Sequence, residues 1–424
     1  MQRRQFLAAG FSSITGSLLL SQHAKAELSE NLAQLTQTLG DNNRHTDSQA
    51  FWQNVKHQFP LQPELYYFNN ASLGPSPNIV NKAVQEFRLQ LESFPSKYMW
   101  GGWKKEKEQV REKIATLVHA SPEDIALIHN ATEGMNLVAA SLKLSPGDEV
   151  ILGNHEHPSG TIPWQHWQET KGIKLVRPEL PLLPQSTREI VEIYRQAITD
   201  KTKVISIVHI TNTNGMILPI KEIADMAHDR GILVAVDGAQ ALGMIPLNLP
   251  ELGIDFYTAS SHKWLFSPKG LGIFYAKRSS QHFIKPLIVA SGYEDKSIRR
   301  LENYNSRNLP ELLGLGVSVD FHQSLGEQKK YQRILELKHY IRKRLTSDTQ
   351  FHIKTPEPDE LSAGIICVEI KGQEVRALND RIAAQSNINC RPMDVLTLNG
   401  LRFSLSIYNT EKDIDYLINA LQMS

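Results

Sequence analysis

The chain is poor in most features that announce a function. Only two of its 424 residues are cysteine, Cys367 and Cys390. Neither stands in a CxxC spacing, which argues against a cysteine-built zinc site and a disulfide-stapled scaffold. A single Cys367–Cys390 pair stays open if the protein meets an oxidising compartment. Charge of neither sign dominates, with 46 basic against 45 acidic side chains. That balance gives no support for a nucleic-acid or other polyanionic partner. No GxGxxG and no GxxxxGK[ST] occurs, so nucleotide binding has no motif behind it. Internal repeats and low-complexity tracts are also missing. What remains is an ordinary globular composition, 41% hydrophobic and 21% charged, on a chain long enough for about two domains.

The N-terminus reads as an address. Met1-Gln2-Arg3-Arg4-Gln5-Phe6-Leu7-Ala8-Ala9 resembles a twin-arginine export signal. An apolar stretch, Ile14 to Leu20, and a small-x-small site, Ala24-Lys25-Ala26, follow it. That stretch is too short and too rich in Ser and Gly for a membrane span, so no stable span is expected after cleavage. Residues 1–26 are expected to be removed once the twin-arginine machinery has carried the folded protein to the periplasm. Residues 27–61 form a polar lead-in, partly ordered, with a helix-like patch from Leu28 to Leu39.

From residue 62 the pattern turns α/β. Short apolar runs, among them Ile125 to Ile128, Val150 to Leu152, Val204 to Val208 and Leu233 to Val236, alternate with helical stretches. Such alternation predicts a mostly parallel sheet covered on both faces, in a large domain over 62–310. Helical Glu311 to Leu325 and Gln328 to Leu345 then lead into a smaller α/β domain over 311–424.

Polar clusters follow the strand-like runs. In open α/β sheets that edge is where ligands bind. Asp237 ends one buried run and Lys263 follows the next, in Ser260-Ser261-His262-Lys263-Trp264. An acid and a lysine so placed suit pyridoxal phosphate (PLP): the amine forms a Schiff base and the carboxylate keeps the pyridine nitrogen protonated. Burial readily lowers a lysine pKa and frees the nucleophile. Asn130-Ala131-Thr132 opens a helix, where free N–H groups favour phosphate. Each cluster alone has a plainer reading. Lys263 would be a solvated side chain, Asn130 a helix cap, and Arg402 a surface ion pair. His155 and His157 would be half of a zinc site, but no third ligand stands at a recognisable spacing, so no metal is expected.

Taken together, residues Tyr66 to Asn409 resemble the class V aminotransferase family of fold type I PLP enzymes. The resemblance implies roles residue by residue. Tyr67-Phe68-Asn69-Asn70-Ala71-Ser72-Leu73-Gly74-Pro75 resembles the family's substrate-side segment, with Asn70 and Ala71 as substrate contacts. Thr132, beside Ala131, corresponds to a phosphate-binding threonine, and His157 to the histidine stacked on the ring. Asn212 and Gln240 lie near the cofactor oxygen, and Asp237 is the pyridinium partner. Ser260 and His262 are phosphate ligands and Lys263 the Schiff-base lysine. Asn305-Ser306-Arg307 resembles the segment that reaches a neighbouring subunit's phosphate, implying a homodimer with shared sites. Arg402 corresponds to the arginine holding a substrate carboxylate, a role suited to its bidentate fork.

His262-Lys263-Trp264 with Pro268-Lys269-Gly270 is similar to the isopenicillin N epimerase-like branch. Cysteine desulfurases carry a reactive cysteine on a loop before the carboxylate arginine. Here that loop, Pro392 to Gly400, holds none. The expectation is therefore a periplasmic, aminotransferase-like enzyme acting on a small-molecule or peptide amino group. The alternatives are an epimerase or a decarboxylating tailoring enzyme of a secondary-metabolite peptide. A desulfurase or a non-catalytic binding protein stands further off.

Overall fold

The computed structural model describes residues 48–423; the export signal and the Leu28 to Leu39 patch lie outside the described residues. The apolar runs form Ile125–Ile128 (β1), Glu149–Leu152 (β2), Lys174–Val176 (β3), Thr202–Val208 (β4), Leu233–Asp237 (β5), Phe256–Ser260 (β6) and Gly272–Ala276 (β7). They make one sheet of order β1-β7-β6-β5-β4-β2-β3. All neighbours are parallel except β7, which runs antiparallel to β1 and β6. The link from β6 to β7 holds no helix, the usual device of a parallel crossover, in keeping with the reversal. Adjacent residues Val204 and Ile205 of β4 enter different apolar clusters, one on each face of the sheet. Helices therefore cover both faces, and the strands read as continuous apolar runs.

The smaller domain holds Phe351–Ile353 (β8), Ile365–Ile370 (β9), Arg391–Val395 (β10) and Leu398–Ser404 (β11). These form an antiparallel sheet of order β10-β11-β9-β8, backed by helices Val375–Ser386 and Glu411–Gln422. A capping box at Thr410 and Asp413 starts the last helix.

Three boundaries differ in packing from the sequence reading. Helix Leu309–Leu325 lies almost wholly beyond residue 310, yet its Leu312, Leu315, Val319 and Phe321 pack into the large core. The lead-in ends in helix Ser48–Lys56, whose Phe51, Trp52 and Val55 join the same core. Tyr66–Tyr67 pairs in parallel with Ile388–Asn389, and Phe68 sits in the small-domain core. The stretch Pro392 to Gly400 is also not a loop. It is a tight β-hairpin, β10 to β11, turning at Leu396-Thr397 with Leu396 at a φ of 57°. Among the described residues no helix is long and apolar enough to cross a membrane.

Candidate active site

Lys263 lies in the turn after β6, clamped by its neighbours. Gly74 N–H donates to His262 O at 2.9 Å, and Asn70 Nδ2 reaches Lys263 O at 3.5 Å. A β-carbon on Gly74 would fall 2.0 Å from Lys263 O, so only glycine allows this approach. Trp264 Nε1 donates to Gln240 Oε1 at 2.8 Å, and Gln240 Nε2 donates to Ala71 O at 2.9 Å. Behind the turn, buried Lys330 donates to Trp264 O. Burial brings the Lys263 amine from 10.5 down to about 8; Asp237 opposes the shift, while Arg402 and Arg391 add to it.

Asp237 ends β5 almost wholly buried, its Oδ1 accepting from Ala239 N–H at 2.9 Å. Among the described residues no hydrogen bond engages its Oδ2. Glu156 is a neighbour: a β-carbon at Gly160 would lie 3.7 Å from Glu156 Oε2 and 3.9 Å from Asp237 Oδ2. Glu156 Oε1 accepts from Val208 N–H at 3.0 Å, and burial, with Asp237 adding, holds its carboxyl well above the usual range.

His157 caps helix Pro158–Lys171, its Nδ1 accepting from Ser159 N–H at 3.1 Å. Ser159 Oγ in turn accepts from Thr132 Oγ1 at 2.9 Å. Burial, helped by Lys263, lowers the His157 pKa and favours a neutral ring. Thr132 opens helix Ala131–Ser141, and Ala131 N–H donates to Ser260 Oγ at 3.0 Å, which leaves the Ser260 proton free to donate. His262 is kept neutral by burial, near a pKa of about 4, and its Nδ1 is buried without a partner.

Arg402, on β11, is 1% exposed. Its Nη1 donates to Asn212 O at 2.8 Å. Its Nη2 donates to Asn69 Oδ1 at 3.0 Å and Ser72 Oγ at 2.7 Å, and its Nε is buried without a partner. Asn69 and Ser72, which flank the expected substrate contacts Asn70 and Ala71, are the residues of that segment that touch Arg402. Asn70 is fully buried, its Oδ1 taken by Tyr408 O–H at 3.0 Å, and Ala71 offers its carbonyl to Gln240. Ser306 is exposed and does not join the cluster around Lys263 within one chain. The sequence reading also passed over Ser159, Glu156 and Arg391. The His157-Pro158-Ser159 cap was the one signal within reach, because a residue two after an N-cap donates to it.

Cys367 and Cys390 are free, buried thiols, both pushed by burial to about 12. Cys390 Sγ is turned to Asn379 Oδ1 at 3.4 Å, in the small-domain core. Among the described residues no cluster of three His, Cys, Asp or Glu could hold a metal ion.

The donor set fits PLP. A lysine amine of lowered pKa, a buried carboxylate with one free oxygen, and a neutral imidazole converge there. Hydroxyl donors stand at a helix start, where a phosphate is favoured.

Comparison with known proteins agrees. The Aminotransferase class-V family model matches residues 65–417. Isopenicillin N epimerase of Streptomyces clavuligerus is 30% identical over 393 residues, covering 88% of this chain and 98% of the relative. A probable cysteine desulfurase of Halalkalibacterium halodurans is 30% identical over 400 residues, covering 87% and 96%. Among solved structures, a C-DES variant with glycine covalently linked to its PLP cofactor gives a TM-score of 0.78 at 23% identity, covering 86% of this chain and 98% of that one. Cysteine desulfurase CsdA of Escherichia coli gives 0.75 at 24%, covering 87% and 97%. The family match over most of the chain, the shared fold and a donor set suited to the cofactor lead to one conclusion: the chain belongs to the class V aminotransferase family and is a PLP-dependent enzyme of fold type I.

Proposed function

We propose that this enzyme takes a proton from the α-carbon of an amino substrate and returns it there, with epimerisation as the outcome. In this reading it works as a homodimer outside the cytoplasm, in keeping with the Arg3-Arg4 export signal. The likeness to isopenicillin N epimerase carries the choice of outcome, and one contrast sets sulfur chemistry aside: Lys263 is brought to about 8, while both thiols are pushed to about 12. Such a site is equipped to move protons and not to attack sulfur, because the thiolate is the nucleophile in sulfur transfer. The tight hairpin β10 to β11 supports it, since it leaves no cysteine-bearing loop beside Arg402.

When bound, PLP supplies an electron sink that makes the α-hydrogen acidic. Thr132, Ser260 and His262 would hold its phosphate, Asp237 would keep its ring nitrogen protonated, and neutral His157 would support its ring. Arg402 fixes the substrate carboxylate. The Lys263 amine takes the proton from one face of the α-carbon, tethered where its effective concentration is high, and inversion follows when solvent water returns a proton to the opposite face. Transamination shares every residue role up to proton removal and differs in where that proton is returned.

The test is to incubate PLP-loaded enzyme with a panel of L-amino acids and short amino-bearing peptides in deuterated water. Deuterium entering the α position with inversion, and no keto acid, is the expected result. Stoichiometric keto acid would replace epimerisation by transamination. Sulfur release from cysteine would overturn the reading.

A further inference from the structure

Arg402 has a second arginine beside it. In the β10–β11 ladder Arg391 is the direct cross-strand partner of Arg402, so both side chains leave the sheet on one face. That face looks toward the large domain. Met393, two residues along β10 and so on the same side, packs with Cys367, Leu398 and Leu182, and Leu182 belongs to a large-domain loop. Arg402 reaches Asn212, Asn69 and Ser72 from this face, at the mouth of the Lys263 site.

Among the described residues the two positive charges have no counter-charge. Arg402 meets only neutral oxygens, and among the described residues Arg391 makes no hydrogen bond or ion pair. Nearby acids are committed elsewhere: Asp394 to Arg376 at 3.3 Å and Glu369 to Lys354 at 2.9 Å. Like charges directly opposed on a sheet destabilise it, so the arrangement persists at a cost that a bound anion would relieve. One substrate carboxylate on Arg402 neutralises one of the two and leaves Arg391 over. Arg391 is exposed, standing at the open side of the site while Arg402 lies deep within it.

We propose that Arg391 is a specificity-determining residue that receives a second carboxylate, so that the substrate is an amino compound carrying two carboxylates. Arg402 grips the carboxylate next to the reacting carbon and Arg391 the distal one. The inference rests on the α-carbon reading above and adds the class of substrate to it.

The experiment titrates PLP-loaded wild type, Arg391→Gln and Arg391→Lys, following the visible band of the bound cofactor. The probes are aspartate, glutamate and 2-aminoadipate, each beside its side-chain amide. Wild type is expected to bind at least one of the acids more tightly than its amide. Arg391→Gln should weaken that acid on the order of 10–100-fold and shift the amide less than about twofold, with Arg391→Lys recovering part of the loss. No preference for any acid in wild type, or equal weakening of acid and amide in Arg391→Gln, would overturn the inference and leave the α-carbon chemistry standing. A wild-type band that no amino compound perturbs would overturn both.

Discussion

At the scale of single residues, Lys263 is shaped by opposing forces. Burial disfavours the ammonium form, Asp237 favours it, and Arg402 and Arg391 again oppose it, for a net value of about 8. Below that pH the amine is mostly protonated and a poor nucleophile; above it the free base dominates. Capture of PLP by cofactor-free protein should therefore accelerate as pH rises through about 8, well below the 10.5 of an ordinary lysine. Asp237→Asn removes the one influence that raises the value, so its midpoint should move lower still. Stopped-flow absorbance across pH 6 to 11 reads both midpoints, and an inflection near the ordinary lysine value would show that the amine is not held as described.

At the scale of elements, one buried cluster ties the sheet edge to its surroundings. Glu302, in the turn Ile298–Glu302, accepts from Leu127 N–H of β1 at 2.7 Å. It also pairs with Arg111 and, at 2.6 Å, with Lys107, both on helix Lys104–Leu117. Burial pushes its carboxyl up, but Arg111 and Lys107 outweigh that and hold it at about 2. A depressed carboxyl adds stability that is complete above its unfolded value near 4.5 and fades as pH falls through about 2. Glu302→Ala strands Arg111 without its buried partner and should cost roughly 3–5 kcal/mol. Urea unfolding at pH 7 measures that loss, and repeating it near pH 2.5 should show the gap between wild type and variant narrowing.

Nothing local in the sequence announced this cluster, because its members come from three separate segments. The strands β1, β2, β4 and β5 were legible, since burial on both faces leaves continuous apolar runs bounded by turns. Helix Lys104–Leu117 was legible from its charge-rich outer face. The β10–β11 turn was not, because Leu396-Thr397 lacks the Gly or Asn that normally marks a two-residue hairpin. The same limit applied at the site. Motif order located Asp237, Lys263 and Arg402, but only folding decides that Asn69 and Ser72, rather than Asn70 and Ala71, face the arginine. Transamination stood first on sequence alone; the buried thiols and the hairpin bear only on the desulfurase alternative, and the epimerase relative is what moves the proposal to proton return at carbon.

At the scale of the whole molecule, a single chain leaves the phosphate end of its site open. Thr132 is exposed there, and Ser306 is exposed away from the Lys263 cluster. Large apolar side chains are also left to solvent, including Trp100 at 64% and Val289 at 70% exposed, with Leu287 and Ile288 beside the latter. Trp100 shares a cleft with Ser291, Tyr304 and Asn305, next to Ser306. Apolar exposure of this kind marks association surfaces, and a twofold dimer would present the Ser306 segment of each chain to the other. If each site takes Lys263 from one chain and Ser306 from its partner, two differently damaged chains should complement each other. Lys263→Ala removes the amine, and Ser306→Asp sets a carboxylate against the neighbouring phosphate, a like-charge contact that disrupts binding. Each variant alone should be inactive in the α-proton exchange assay. Mixed dimers, refolded together in equal amounts, regain one intact site in half of the molecules, so about a quarter of wild-type activity should return. No recovery in dimers shown by ultracentrifugation to have exchanged subunits would mean that each chain completes its own phosphate site.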